Sequence, residues 1–498
     1  MPSKEMLRAL VEAAGMNGED PALIFRGART TYRQLLAMTY EFHGQLPTYS
    51  PDATEPLCVV ATKSPETIAL VLACVRAQRP VLLASPSLGG EISHTLCLRA
   101  GCTDVLSVGV LADGSPVIES RPVSGGVDGD ESRRPIRPDV SLLLTTSGST
   151  GTPKVVPLTG PAVDRFVDWA AKAFGIGRGT RVLSYAPLNF DLSLLDVWAT
   201  LRFGGCVVLV DPDQATNSDH LLDSLAAPGI DLVQSVPFFY RLLGAAVRRG
   251  GQVLPGVRHV LFTGDSMPSS LLAAMAELFP AARLYNVYGC TETNDSLIHE
   301  IDRATLPLAD GVPLGRPLPG VDVVIVGPDE MVVDGAGSGE LLTSTPFQTR
   351  GYLDSELDKG RFVAHPDGRT PGVYYRTGDL VTRRPDGTIV LEGRNDFHVK
   401  VRGVRTNTQE VERVILAHPD VREAVVVGLP DELAGTRLHA LVQREAGSAL
   451  NSLHLRSHCA RLLPRTAIPT SISITDLPIP KTSTGKPDRS RVRLQTIQ

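Results

Sequence analysis

The sequence has no paired-cysteine motif. Its seven cysteines, Cys58, Cys74, Cys97, Cys102, Cys206, Cys290 and Cys459, are scattered and odd in number. Neither a disulfide framework nor a zinc site fits that pattern. An excess of positive charge is also missing. The formal net charge is −5, and clusters such as Arg133-Arg134 and Arg248-Arg249 are too short for a nucleic-acid face. Nor is there a long apolar run. The longest, around Ile68 to Val75, falls well short of the ~18 residues that a membrane span needs. Met1 to Met6 hold no apolar signal-peptide core. These absences exclude a nucleic-acid partner and a membrane partner, and they place the expected location in the cytoplasm. No internal repeat of fixed period is present.

What remains is the composition of an ordinary globular protein, 42% hydrophobic and 21% charged over 498 residues. A single core stops growing near roughly 250–300 residues, so at least two domains are expected. Strand and helix patterns alternate. Leu57 to Ala61, Pro65 to Ala77 and Pro80 to Ala84 read as a β-α-β unit. The same rhythm returns at Val182 to Tyr185, Leu194 to Leu201 and Cys206 to Val210. It returns again at Leu232 to Val236, Tyr240 to Ala246 and His259 to Phe262. The fold class is therefore α/β with a largely parallel sheet. Residues 112–138, rich in Gly, Pro, Ser, Asp and Arg, read as a solvated loop. Beyond Gly320 short strands with Gly and Pro turns suggest a β-rich subdomain. A new start near Asp396 leads to a strand at Val399 to Val401 and a helix at Thr408 to Ala417. The expected organisation is a large domain over residues 1–395 and a small mobile α+β domain over 396–498.

The most informative segment follows the strand Val140 to Leu144. Thr145-Thr-Ser-Gly-Ser-Thr-Gly-Thr-Pro-Lys154 crowds hydroxyls and glycines into a tight space, and such loops aim N–H and O–H groups at phosphate oxygens. It is not a Walker loop, because the spacing of Gly148 and Gly151 and the Pro153-Lys154 ending break that pattern. The loop resembles the phosphate loop of the adenylate-forming superfamily, which includes acyl-CoA synthetases, luciferases and peptide-synthetase adenylation domains. Five further motifs follow in that family's order. They are Asn286-Val-Tyr-Gly-Cys-Thr-Glu292, Gly339-Glu340 with Arg350-Gly-Tyr352, Tyr375-Arg-Thr-Gly-Asp-Leu380, Gly393-Arg-Asn-Asp396 with Val399-Lys-Val-Arg-Gly403, and Pro480-Lys-Thr-Ser-Thr-Gly-Lys486.

The resemblance implies an AMP-forming ligase that uses ATP and Mg2+. Thr146, Ser147, Gly148, Ser149, Thr150, Gly151 and Lys154 would cradle the phosphates. Thr291 would contact phosphate, and Glu292 would be the metal ligand. Asp379 would hold the ribose hydroxyls with Arg394 beside it. Asn286, Tyr288 and Asp265 would border the adenine. Lys486 would be the catalytic lysine, entering on a mobile domain that swings about a hinge at Asp396. The chemistry agrees: two anions must meet, so the site has to supply positive charge and orientation. A non-catalytic nucleotide-binding module would have lost Lys486, Glu292 or the phosphate loop, and all three are present. A light-emitting oxygenase of the same fold suits the polar Asp191 poorly.

Asn189-Phe-Asp-Leu-Ser-Leu-Leu-Asp196 resembles the start of that family's acyl pocket. Phe190, Asp191, Leu195, Val287 and Asp295 are the expected substrate-binding residues. In amino-acid-activating members an Asp at the position of Asp191 pairs with the substrate ammonium. A buried carboxylate demands such a partner, although Asp191 before Leu-Ser-Leu-Leu also reads as a helix cap. Cys290 stands where the family has Pro and receives no chemistry. No carrier domain follows Lys486, so the acceptor is expected to be a separate molecule: an amine, a carrier-protein thiol or coenzyme A. After Arg405 the family has an Ile-Glu-Leu-Gly-like run, here replaced by Thr406-Asn-Thr-Gln409. That departure favours a stand-alone amide bond synthetase acting on an aryl, heteroaryl or amino acid.

Overall fold

The computed structural model describes residues 4–49, 55–86, 88, 90–111, 113–124, 134–146, 154–226, 229–250, 253–265, 267–306, 308, 312–368, 370–394, 398–432, 434–480 and 489–497. The chain divides into two compact units. One comprises residues 1–86, 97–145 and 155–395; the other comprises 87–96, 146–154 and 396–498.

Among the described residues, the first unit is built on three sheets. The largest has nine strands. Its centre is parallel: Pro21–Phe25, Cys206–Leu209, Arg181–Ser184, Leu232–Ser235, His259–Thr263 and Arg283–Cys290 lie side by side in that order. Antiparallel strands finish both edges, Ala28–Thr31 at one and Asn294–Ile301 with Arg316–Pro317 at the other. The second sheet has six strands, with Leu57–Val60 parallel to both Val81–Ala84 and Asp104–Val110. The third has five, centred on Gly337–Ser344 and Val373–Arg383. This is the α/β class that the alternating pattern announced.

One part of the loop expected over 112–138 is a strand instead. Pro116–Pro122 pairs antiparallel with Asp104–Val110 along its whole length. Its single strongly apolar step, Val117-Ile118, decides this: Ile118 is buried in the main core, and that contact outweighs the turn-rich composition around it.

Local signals account for the helices. Ser64 caps Pro65–Arg76 by accepting from Thr67 N at 3.1 Å, and Pro65 occupies the first turn, where its missing N–H costs nothing. That helix is buried from Ile68 to Val75, which explains why its sequence is apolar all round. Gly160–Phe174 is capped by Thr159 and ends on Gly175, whose φ of +64° is the left-handed stop that glycine takes without strain. The core beneath these elements is continuous, from Leu70 and Leu72 through Leu142, Val182, Trp198 and Leu261.

The second unit contains a hairpin, His398–Val401 with Val404–Asn407, and a three-stranded sheet of Val421–Asp431, Gly435–Arg444 and Ser471–Thr475. Helix Thr408–Leu416 lies against that sheet and buries Val411, Val414 and Ile415 beside Val426 and Ala440. Arg489 donates to Glu412 at 2.6 Å, tying the terminal helix Arg489–Ile497 back to it. No helix among the described residues is long and apolar enough to cross a membrane.

Tyr32 joins the first helices to the main sheet. It is 1% exposed, and its hydroxyl donates to the Gly205 carbonyl at 2.7 Å with the Leu201 carbonyl 3.1 Å away. Tyr32→Phe removes the hydroxyl that donates to the Gly205 carbonyl, while the Leu201 carbonyl keeps Gly204 N as donor, so a stability loss of about 1–3 kcal/mol is expected in urea denaturation. A loss below about 0.3 kcal/mol would show that water satisfies the Gly205 carbonyl instead.

Candidate active site

The site begins with a hairpin at the edge of the large sheet. Arg283–Cys290 and Asn294–Ile301 pair so that Gly289 faces Asp295 and Cys290 faces Asn294. A Cβ on Gly289 would meet the Asn294 carbonyl oxygen at 2.2 Å, so only glycine allows this approach. Asn294 takes a left-handed φ of +55° and donates its amide to the Phe347 carbonyl at 3.0 Å. Thr293 N closes the turn on Cys290 O at 3.0 Å. The turn is thereby locked with Thr291 and Glu292 at its tip.

Glu292 is 1% exposed. The Tyr352 hydroxyl donates to its Oε1 at 2.6 Å, and the Tyr375 hydroxyl lies 3.1 Å from that of Tyr352. Burial, then the Glu292 charge, pushes the Tyr352 hydroxyl well above its ordinary pKa, so it remains a donor. Thr349 N donates to the Glu292 carbonyl at 2.9 Å. Tyr352 had no role in the sequence analysis, although the Arg350-Gly-Tyr352 motif contained it.

Asp191 reaches the same place from another strand. The chain leaves Arg181–Ser184, turns through Phe190, and brings the Asp191 carboxylate close enough to Thr291 and Leu192 N for both to favour its charged form. The capping alternative does not hold. The helical turn that follows is a π-helix over Leu194–Ala199 preceded by Ser193, without a side-chain cap. Such turns often mark functional sites. Burial pushes the Asp191 carboxyl up, the Thr291 bond pulls it down, and the Glu292 charge pushes it up again. Burial and the Asp191 charge push Asp295 up to about 8. The Glu292 charge thus opposes ionisation of the half-buried Asp191, and the Asp191 charge opposes that of the half-buried Asp295. Leu195 and Val287 lie in the adjoining core, 0% and 2% exposed.

A second polar group forms on the five-stranded sheet. Asp379 is 6% exposed. It accepts from the Tyr288 hydroxyl, and its own N–H donates to Thr377 Oγ1 at 3.1 Å. Glu340 fixes the approach to Asp379, taking Arg376 Nη2 at 2.6 Å and Gly378 N at 3.2 Å. Arg394 stands opposite Asp379 in the strand register. Asn286 is 7% exposed and donates its amide to the Pro313 carbonyl at 2.7 Å. Asp265 follows the end of His259–Thr263. Thr146 closes the strand Val140–Thr146, and Lys154, largely buried, opens Lys154–Thr159. Ser147, Gly148, Ser149, Thr150, Gly151, Asp396 and Lys486 lie outside the described residues.

Among the described residues no group of three or more acidic, histidine or cysteine side chains could hold a metal ion, so Glu292 would serve as a lone carboxylate ligand to a hard divalent cation. Carboxylate oxygens are the ligands magnesium prefers, and the mutual repulsion of Glu292 and Asp191 is what a cation relieves.

Comparison with known proteins identifies the family. A profile of the AMP-binding enzyme family matches residues 10–353, and one of the AMP-binding enzyme C-terminal domain matches 410–486. The L-proline–[L-prolyl-carrier protein] ligase of Pseudomonas fluorescens is 30% identical, over 92% of this chain and 93% of that protein. The enzyme of the same name from Streptomyces coelicolor is 34% identical, over 80% of this chain and 75% of its own length. The solved structure of the amide bond synthetase McbA from Marinactinospora thermotolerans superposes with a TM-score of 0.83 at 25% identity, covering 99% of both chains. The chain belongs to the AMP-binding enzyme family and is an AMP-forming ligase.

Proposed function

We propose that this ligase activates a small carboxylic acid bearing a basic nitrogen, using ATP and magnesium, and couples it to a free amine as an amide. The observation that carries the substrate class is the desolvated pair Asp191 and Asp295, each pushed toward the protonated state by burial. Half-buried carboxyls of like sign, set close enough to oppose each other's charge, favour a ligand that brings positive charge or hydrogen-bond donors.

The acid's carboxylate oxygen attacks the α-phosphorus. The new acyl-oxygen–phosphorus bond replaces the bond to pyrophosphate, which leaves. The amine nitrogen then attacks the acyl carbon, AMP departs, and the ammonium proton is lost to solvent. Asp191 binds the acid's nitrogen, and Phe190, Leu195, Val287 and Asp295 shape the pocket around it. Thr146 to Gly151 and Lys154 hold the phosphates, and Thr291 contacts them. Asn286, Tyr288 and Asp265 border the adenine, while Asp379 and Arg394 hold the ribose. Glu292 would hold magnesium, which supplies positive charge to the phosphates. Lys486 neutralises the charge that develops between carboxylate and phosphate. Residues 1–395 bind acid and ATP, residues 396–498 bring in Lys486, and Asp396 is the hinge. The expected compartment is the cytoplasm.

Two observations support an amine as acceptor. The likeness to an amide bond synthetase spans 99% of both chains. The segment Thr406-Asn-Thr408 is polar, and it is buried. A second reading, transfer to a carrier-protein thiol, is favoured by the two relatives named as carrier-protein ligases. Incubating the best acid with ATP and, separately, an amine, coenzyme A and a phosphopantetheinylated carrier protein decides between them. Amide without carrier loading is expected; thioester on the carrier alone would overturn the amine.

Lys486→Ala is expected to fold normally and to lose about 10²–10³-fold in acid-dependent pyrophosphate release. A rate near wild type would remove Lys486 from the chemistry. The pH profile tests the pocket. Asp295 keeps its proton until about pH 8, so it gains the negative charge that attracts a cation only as pH rises toward that value. For an acid carrying a second cationic nitrogen, kcat/KM should climb through this range, and Asp295→Asn should flatten the climb. A climb that persists in Asp295→Asn assigns it to another group.

A further inference from the structure

Lys63 is a buried cation that the proposed chemistry leaves unused. It sits between the strand Leu57–Val60 and the Ser64 cap of the following helix, and it is 4% exposed. Its Nζ donates to the Ser184 carbonyl at 2.9 Å and to the Tyr185 carbonyl at 2.7 Å. Those carbonyls mark the point where the chain leaves the large sheet for the segment that carries Phe190 and Asp191. Lys63 itself lies in the connection between a strand of the neighbouring six-stranded sheet and the helix Pro65–Arg76, so its bonds fix the departure point against a second rigid element.

The far end of the same segment answers to Lys63 as well. Asp196 lies in the π-helix Leu194–Ala199, is 0% exposed, and has no hydrogen-bond partner on either carboxyl oxygen among the described residues. Burial pushes Lys63 down to about 7, and the Asp196 charge opposes that fall. Burial likewise pushes Asp196 up, and the Lys63 charge opposes the rise. The two groups therefore favour each other across the low-dielectric interior. A buried ammonium is costly to keep, and a methionine would fill the same space without that cost. What the ammonium adds is a pair of directed bonds at one end of residues 185–196 and an electrostatic partner for the other end.

We propose that Lys63 is a positioning residue for acid activation, holding the segment 185–196 so that Asp191 stays against Thr291. The inference rests on the acyl-pocket reading above. Lys63 touches no reacting atom. It acts through the backbone that carries Asp191, and a shift of that backbone weakens acid binding while leaving nucleotide binding alone.

The double variant Lys63→Met/Asp196→Leu removes both charges, so no lone buried charge is left to unfold the protein. It is expected to melt near the wild-type temperature. Hydrogen exchange measured by mass spectrometry should be about tenfold faster over residues 185–196 and unchanged over 232–235 and 259–263. The KM for the acid should rise about tenfold while the KM for ATP stays within about twofold. A folded double variant with wild-type exchange over 185–196 and a wild-type acid KM overturns the proposal, leaving Lys63 as mere compensation for Asp196. Should that variant fail to fold, Lys63→Arg decides. It keeps the donors and should hold the acid KM within about threefold, whereas equal losses for acid and ATP would overturn positioning. If wild-type protein releases pyrophosphate with no acid, the function proposed above falls, while the exchange measurement still judges the clamp.

Discussion

Like charge crowded out of water is the constraint on which the site depends. Glu292 makes Asp191 harder to ionise, Asp191 does the same to Asp295, and Asp295 does the same to the buried Asp196 behind them. Water would separate and screen such groups; a protein interior does neither. The surrounding structure therefore supplies donors. The Tyr352 hydroxyl faces Glu292, the Thr291 hydroxyl faces Asp191, and the Lys63 ammonium opposes Asp196. What these donors leave uncompensated is the attraction that the proposed function assigns to magnesium and to a nitrogen-bearing acid.

The fold explains how the groups are held there. Asp191 comes from the loop after a central parallel strand, while Thr291, Glu292 and Asp295 come from the antiparallel hairpin at that sheet's edge. Tyr352 comes from the stretch after the five-stranded sheet's strand Gly337–Ser344, and Lys63 from the six-stranded sheet. Most participants sit in connections that follow a strand, whereas Asp295 lies within Asn294–Ile301 itself. Rigid strands set the positions and short connections aim the side chains. The same economy appears at Asp379, where Tyr288 from one sheet meets a carboxylate from another and Glu340 anchors the intervening turn through Arg376.

Hydroxyl groups with high pKa recur in these contacts. Tyr288 and Tyr352 are both pushed up by burial and a neighbouring carboxylate, so both stay protonated and keep donating across the neutral range. A lysine in either place would place a second cation beside the site. A tyrosine gives one directed bond and a flat apolar ring that packs in the surrounding core.

Much of this was legible in the chain alone. The β-α-β rhythm around Leu57 to Ala84, the strands at Val182, Leu232 and His259, and the apolar helix from Ile68 follow from local periodicity, which the interior then satisfied. The segment Asn286 to Glu292 was legible only as a family motif; that Gly289 and Asn294 permit its tight turn came from the structure. The strand Pro116–Pro122 was not legible, since only a distant core gives Ile118 a reason to be buried. The meetings of Asp191 with Thr291, of Tyr352 with Glu292 and of Lys63 with the Ser184 and Tyr185 carbonyls were equally hidden. Propensity and pattern act over a few residues and are written in the sequence. Charge pairing acts through space, and its partners exist only once separate sheets have been folded against one another.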